Sequence, residues 1–254
     1  MTNNESIPLT SPPKQHIWAW RDLVIIVLGT ILLLVAGVAL FYALAGLSGQ
    51  TIEELSQPSM AQSLALAALE AIALVAGIYL FGLRRKRLGW QVLGIKPVSG
   101  MWVAITVAVS IFAIPVTGLI TVLVVLALGL PMENPQLDFL LPDDISLPTA
   151  ALMLLLTGIA VPIAEELIFR GFLYNFLKER WGVWPGVVIS SLIFGIIHAD
   201  FAVGFTAFML GILLAVLYEY SQSLWTSILV HAINNSAKIA LLYILIKLGL
   251  DNLV

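Results

Sequence analysis

The chain has 254 residues, of which 60% are hydrophobic and 11% charged, with a formal net charge of −3 and no cysteine. Soluble domains carry about 25% charged residues, so this composition excludes an ordinary soluble globular protein. The lack of cysteine excludes disulfides, thiolate nucleophiles, cysteine-based zinc sites and lipidated cysteines. Because no basic tract stands apart from the flanks of the apolar runs, no nucleic-acid partner is expected.

Apolar runs follow a polar N-terminal tail, residues 1–22, and about 20 apolar residues are needed to cross a bilayer. They predict seven membrane-spanning helices, over about 23–47, 61–83, 101–130, 149–169, 184–199, 202–220 and 225–248. The first run is longer than the core of a signal peptide, which favours a retained helix, although Ala43-Leu44-Ala45 keeps a cleavage site open. The expected fold is an all-α polytopic transmembrane helix bundle with an intramembrane cavity. Residues 23–130 form an N-terminal set of three helices, and residues 145–250 carry the polar motifs.

Basic residues fall on one side of this predicted topology. The predicted loops 48–60, 131–148 and 200–201 contain no lysine or arginine. The opposite side holds Lys14, Arg21, Arg84, Arg85, Lys86, Arg87, Lys96, Lys178 and Arg180, with Lys247 as the exception to the pattern. The positive-inside rule therefore predicts a cytoplasmic N-terminus.

Polar side chains interrupt the C-terminal apolar runs, where a charge costs about 2.5–3.5 kcal/mol on insertion scales. These residues are Glu165, Glu166, Arg170, His198, His231, Asn234, Asn235 and Lys238. Glu166 and Arg170 are four residues apart on a predicted helix, which favours an ion pair, whereas Glu165 lies about 100° away on another face. Pro162 leaves the Gly158 carbonyl without its helical donor and is expected to bend the chain there.

The same side chains have the chemistry that peptide hydrolysis requires. Hydrolysis needs a general base, a group that orients water, and donors for the developing oxyanion. Glu165 with His198 could meet the first two needs, and His231 with Asn235 the third. Neither a recognisable serine nucleophile nor the His-Glu-x-x-His zinc signature is present.

Three motifs resemble those of a known family. They are Glu165-Glu166-Leu-Ile-Phe-Arg170, Phe194-Gly-Ile-Ile-His198 and His231-Ala-Ile-Asn-Asn235. In this order they resemble the CAAX-protease and bacteriocin-processing (Abi) family of intramembrane glutamic endopeptidases, which includes the type II CAAX prenyl endopeptidase. The resemblance covers about 145–250, which is therefore interpreted as a protease-like domain; helices one to three carry no matching motif.

The resemblance implies that Glu165 and His198 activate water, that His231 and Asn235 form the oxyanion hole, and that Glu166 pairs with Arg170. It implies no cofactor and no metal. The expected partners are a protein or peptide substrate at the membrane and the lipid bilayer itself, and the expected location is the bacterial plasma membrane, with multiple spans. The residues name neither a particular substrate, prenylated or not, nor an oligomeric state.

Other interpretations remain open on the same residues. His198, His231 and a glutamate could bind zinc in a metalloprotease. The chain could instead be a non-catalytic scaffold or immunity protein, or a transporter with a carboxylate proton relay. Asn234 competes with Asn235 as the oxyanion donor. Glu70 is interpreted as a helix contact, Phe194 as core packing, and Lys238 as a structural or snorkelling side chain.

Overall fold

The computed structural model describes residues 16–51, 58–130 and 146–249. Most of the predicted tail, and the acidic parts of the predicted loops 48–60 and 131–148, lie outside these residues. Within them the chain is helical and has no strand. The helices are α1 Trp20–Leu47, α2 Met60–Arg84, α3 Gly100–Leu128, α4 Leu147–Trp181, α5 Val183–Ile196, α6 Phe201–Ser221 and α7 Leu224–Lys247.

All helices except α5 are long and apolar enough to cross a membrane, and α5 has 14 residues. This confirms the predicted all-α polytopic bundle, so the protein is an integral multi-pass membrane protein. The predicted fourth helix, 149–169, was too short because α4 continues to Trp181. Its last turns contain polar residues that lower the apparent hydropathy but find partners in the fold, such as Asn175, which donates to the Gly171 carbonyl at 2.9 Å.

Local signals set the helix ends. Ser59, Ser99, Ser146 and Asp200 accept hydrogen bonds from backbone amides in the first turns of α2, α3, α4 and α6. Such side-chain caps satisfy amides that the helix itself leaves unpaired. Between α4 and α5, Gly182 has φ +90°, a conformation that favours glycine and turns the chain back.

The fourth helix is not regular along its length. A π-helical segment covers Leu156–Ala160, an α-helical segment covers Val161–Glu166, and a second π-helical segment covers Leu167–Tyr174. Pro162 follows the first π segment, in agreement with the expected disturbance at Gly158. Ser236 of α7 donates to the Gly158 carbonyl at 3.4 Å and supplies the hydrogen bond that the proline cannot.

The same helix is also the centre of the bundle. Most residues from Val161 to Leu177 are buried, and they pack against α2, α5 and α7. By contrast, α1 and α3 expose large apolar side chains such as Leu32 and Phe112, as expected for helices that face acyl chains. Thr121 of α3 forms a 2.8 Å hydrogen bond with Thr206 of α6, which ties this outer helix to the bundle.

At one end of the bundle, basic side chains hold several segments together. Asp22 is fully buried and pairs with Arg85 and with Lys86, the latter at 2.6 Å. Lys86 also donates to the Ile17 carbonyl at 2.6 Å. Lys178, near the end of α4, pairs with Glu219 of α6. This end contains the basic segments that the sequence assigns to the cytoplasm.

Candidate active site

Glu166 is the central acceptor of a fully buried polar cluster between α4 and α7. Its Oε1 lies 2.6 Å from Arg170 Nη1 and 2.9 Å from His231 Nδ1. The exposed fractions of the three residues are 0%, 0% and 3%. The predicted Glu166–Arg170 pair is therefore present in the fold, and the carboxylate has a second partner that the sequence did not predict.

Glu165 faces the same imidazole from its other side. Its Oε2 lies 3.6 Å from His231 Nε2, and the residue is 7% exposed. Because successive helical residues point about 100° apart, Glu165 and Glu166 approach the imidazole from different directions. Its two nitrogens lie on different sides of the ring, so each carboxylate faces a different nitrogen. His231 consequently spans both glutamates, and Glu165 is left without the arginine partner that Glu166 has.

Phe194 of α5 connects the remaining histidine to this cluster. Its ring centroid lies 5.0 Å from that of His198 and 5.7 Å from that of His231, both edge to face. The guanidinium of Arg170 lies 4.6 Å from the centroid of the same ring and forms a cation–π contact with it. Glu166 bonds to Nη1 of this guanidinium, and among the described residues its Nε and Nη2 have no hydrogen-bond acceptor. Phe194 thus packs in the core, as predicted, and at the same time it lines the candidate site.

His198 lies in the turn between α5 and α6 and is only partly buried. Its Nδ1 is 2.7 Å from the Phe194 carbonyl, and since a carbonyl only accepts, Nδ1 carries the hydrogen. In a neutral imidazole only one of the two ring nitrogens carries a hydrogen. The free nitrogen, Nε2, is therefore an unprotonated acceptor.

The two candidate asparagines of α7 form a short relay. Asn234 donates to the Asn235 side-chain oxygen at 3.2 Å, and Asn235 donates to the Thr157 carbonyl at 3.3 Å. Asn235 thus contacts the first π segment of α4 and, in the part of the chain that the structure describes, does not bond to the glutamates or histidines. The two side chains are therefore hydrogen-bonded to each other, and the choice between them as oxyanion donor stays a prediction.

One acidic residue outside the motifs acts on the cluster. The face of α2 that includes Ala71 and Ala67 packs on Val161 and Ala164 of α4. Glu70, beside Ala71, lies close enough to Glu165 for the two carboxylates to interact electrostatically. In the sequence, Glu70 stands out only as the lone acidic residue of its apolar run.

A zinc site requires at least three ligand side chains around one ion. Among residues 16–51, 58–130 and 146–249, no three histidine, aspartate or glutamate side chains are arranged to hold an ion. Glu166 hydrogen-bonds to His231 at 2.9 Å, and Glu165 lies 3.6 Å from the other nitrogen of the same ring.

The part of the chain that carries this cluster is similar to known proteins. Residues 147–237 match a protein family described as "Type II CAAX prenyl endopeptidase Rce1-like". This segment is thus similar to that family. It begins with α4 and ends within α7, so it contains every residue of the cluster described above except Glu70.

Two curated relatives align with part of the chain. It is 30% identical over 140 residues to "Putative membrane peptidase YdiL" of Bacillus subtilis (strain 168), an alignment that covers 54% of each protein. It is 34% identical over 110 residues to an "Uncharacterized 24.3 kDa protein" of Escherichia coli, covering 41% of this chain and 50% of that protein. The chain thus spans about half the length of these relatives. No solved structure matches the chain.

Proposed function

We propose that this protein is an intramembrane endopeptidase that hydrolyses a peptide bond with water activated by Glu165 and His198. The observation that carries the proposal is the position of Glu165. Its buried carboxylate lies in the middle of a membrane-spanning helix, 3.6 Å from His231 and without an arginine of its own. The Rce1-like segment and the name of the Bacillus subtilis relative favour the same chemistry.

Glu165 and His198 act on the nucleophile. A carboxylate that is not neutralised by a cation can accept the proton of a water molecule as that water attacks the carbonyl carbon. Nε2 of the neutral His198 ring accepts a hydrogen bond from the second hydrogen of the water. This bond orients a lone pair of the water oxygen towards the carbonyl carbon. Because His198 is partly exposed, water can reach its ring.

His231 and Asn235 act on the electrophile. Because ionised Glu166 can only accept, His231 Nδ1 donates to it, and this bond fixes the orientation of the ring. A proton on Nε2, which faces Glu165 at 3.6 Å, is then available to the carbonyl oxygen as negative charge develops there. The Asn235 amide has a second hydrogen besides the one given to Thr157, which it donates to the same oxygen.

The reaction is balanced by two proton transfers. The water oxygen bonds to the carbonyl carbon, and its proton passes to Glu165. When the tetrahedral intermediate collapses, the carbon–nitrogen bond breaks and Glu165 returns the proton to the leaving amine. The products are a carboxylic acid and an amine, and no redox partner or cofactor is required.

The proposal is tested by exchanging Glu165 for glutamine, which keeps the shape of the side chain and removes its proton affinity. Cells that express the chain with Glu165→Gln should lose the membrane-protein fragments that the unchanged chain produces, with cleavage reduced at least about hundredfold. His198→Ala should have the same effect. Quantitative mass spectrometry of membrane-protein fragments measures the loss.

Glu179→Gln is the matched control, because Glu179 is an exposed glutamate near the end of the same helix. It should leave the fragments unchanged. If the Glu165→Gln cells give the same fragments and the same phenotype as the unchanged chain, the protein is a scaffold rather than a protease. Loss of cleavage by the purified chain after treatment with a zinc chelator would favour a metalloprotease.

A further inference from the structure

Three cations converge on one buried carboxylate between the start of α1 and the end of α2. Asp22, in the first turn of α1, is fully buried. Lys86 bonds to its Oδ2 at 2.6 Å, and Arg85 pairs with its Oδ1. Arg21 approaches the same Oδ1, with its Nε at 4.0 Å. These four side chains form the Asp22 cluster, in which one carboxylate faces three cations and leaves an excess of two positive charges.

The two arginines of the Asp22 cluster keep donors for a further acceptor. The Arg21 side chain is 81% exposed, and among the described residues its guanidinium has no hydrogen bond. Arg85 is 33% exposed, and within the same part of the chain it uses Nη2 for Asp22 and Nε for the Phe81 carbonyl, so that Nη1 is left. Guanidinium groups match the geometry of phosphate, which they bind through paired N–H groups. Asp22 thus holds two guanidiniums together in an arrangement that fits an anion.

Aromatic side chains mark the depth of the Asp22 cluster in the membrane. Trp20, next to Arg21, is exposed, and its ring centroid lies 6.0 Å from that of Trp181, which is exposed as well. Tryptophans at the ends of spanning helices lie at the level of the lipid headgroups. The phosphates of the headgroups are therefore anions at the same depth as the two guanidiniums.

An exposed apolar stripe of α1 starts at Arg21. Val24, Leu28 and Leu32 follow it by three, seven and eleven residues, so they lie on the same side of the helix. All three are more than half exposed. In a spanning helix such side chains contact acyl chains. The guanidiniums and the stripe together fit a single molecule with a phosphate at one end and a hydrocarbon chain beyond it.

We propose that the Asp22 cluster binds the phosphate of an anionic phospholipid whose acyl chain lies along α1. Basic pockets between spanning helices bind such headgroups. The excess of positive charge favours an anionic lipid over a zwitterionic one, because the cation of a zwitterionic headgroup would meet the two arginines. A bound headgroup joins the start of α1 to the end of α2. The inference does not depend on the endopeptidase function.

Native mass spectrometry of the full chain tests the site, because it resolves bound lipids by their mass. The protein is purified in detergent and titrated with an equimolar mixture of phosphatidylglycerol and phosphatidylcholine that carry identical acyl chains. Phosphatidylglycerol should bind about tenfold more tightly, as expected for hydrogen bonds to charged groups. Inorganic phosphate at the concentration of the lipid should not displace it, because the free ion makes no contact with the apolar stripe.

Two variants assign this preference, the ratio of the two dissociation constants, to the Asp22 cluster. Arg21→Gln should reduce it about fivefold, the loss expected for one arginine at a membrane surface. Because Arg21 is exposed and forms no hydrogen bond in the described fold, the thermal midpoint of the lipid-free protein should stay unchanged. Lys96→Gln is the matched control, since it removes an exposed cation from the same end of the bundle but outside the cluster. It should retain the preference.

Each other outcome overturns the proposal in a different way. Equal affinity for the two lipids, or an unchanged preference in Arg21→Gln, shows that the cluster does not select an anionic headgroup. An equal loss of preference in Lys96→Gln and Arg21→Gln shows that the general positive charge of this end attracts the lipid, and not the Asp22 cluster. Displacement of the lipid by inorganic phosphate at the same concentration makes the cluster a site for the free ion.

Discussion

Glu166 uses a single carboxylate oxygen for two partners, Arg170 at 2.6 Å and His231 at 2.9 Å. The first bond lies within α4 and neutralises a fully buried guanidinium, whereas the second reaches across to α7 and fixes the imidazole beside Glu165. One side chain therefore serves stability through Arg170 and the geometry of the site through His231. These two roles can be separated by mutation.

Glu166→Met is expected to damage both roles. It leaves Arg170 buried without its counter-ion, and breaking a buried pair in this way costs about 3–5 kcal/mol. The thermal midpoint of the purified chain in detergent should therefore fall clearly. Cleavage should be lost as well, because His231 Nδ1 no longer has an acceptor.

The double variant Glu166→Met/Arg170→Met distinguishes the two roles. Replacing a whole buried pair by apolar side chains of similar size is often neutral or stabilising, so the thermal midpoint should largely recover. Cleavage should remain lost, since the bond to His231 is still missing. A double variant that is as unstable as Glu166→Met would show that the pair is not what stabilises this region.

At the scale of elements, the hairpin of α5 and α6 carries His198 and Phe194 to the site. A Cβ atom on Gly195 would lie 2.6 Å from the Gly204 carbonyl oxygen and 3.0 Å from Phe208 Cβ. The two helices thus cross at a distance that only glycine allows. Since Gly195 follows Phe194 directly, any separation of the helices also displaces the wall of the site.

Gly195→Ala is therefore expected to destabilise the protein by about 1–3 kcal/mol, because the backbone carbonyl that it meets cannot move aside like a side chain. Gly118→Ala is the matched control: Gly118 also lies inside a helix, but nothing is within 4 Å of its Cβ position. That change should be neutral or slightly stabilising. Thermal unfolding in detergent measures both, and equal midpoints would contradict the close crossing.

The sequence predicts features that depend on residues close together in the chain, but it does not predict features that depend on contacts between distant helices. Hydropathy and the spacing of Glu166 and Arg170 are local, so the spanning helices and the ion pair were predictable. The first π segment of α4 was not, because two of its carbonyls are satisfied from α7, by Asn235 at Thr157 and by Ser236 at Gly158. The bond between His231 and Glu166 likewise depends on the rotation of α7 against α4, which no local pattern specifies.

At the scale of the whole molecule, the basic segments gather at one end of the bundle. Arg85 and Lys86 pair with Asp22 at the start of α1, and Ser223 donates to the Lys96 carbonyl at 2.7 Å at the start of α7. The positive-inside rule places basic segments in the cytoplasm. Because this end includes the start of α1, the rule predicts a cytoplasmic start of α1 and so an orientation for the whole bundle. The cytoplasmic position of the N-terminus stays a prediction.

The lack of cysteine makes this orientation directly measurable, since a single introduced thiol is the sole labelling site. Gln50 follows α1 at one end of the bundle, and Gln91 lies in the short helix Trp90–Leu93 at the other; both side chains are exposed. With a membrane-impermeant maleimide, Gln50→Cys should be labelled in intact spheroplasts and Gln91→Cys only after lysis. The unchanged chain should take up no label in either condition. The reverse pattern would place the basic end outside and would contradict the predicted topology, while the cluster of Glu165, Glu166 and His231 would be unaffected because it depends on helix packing alone.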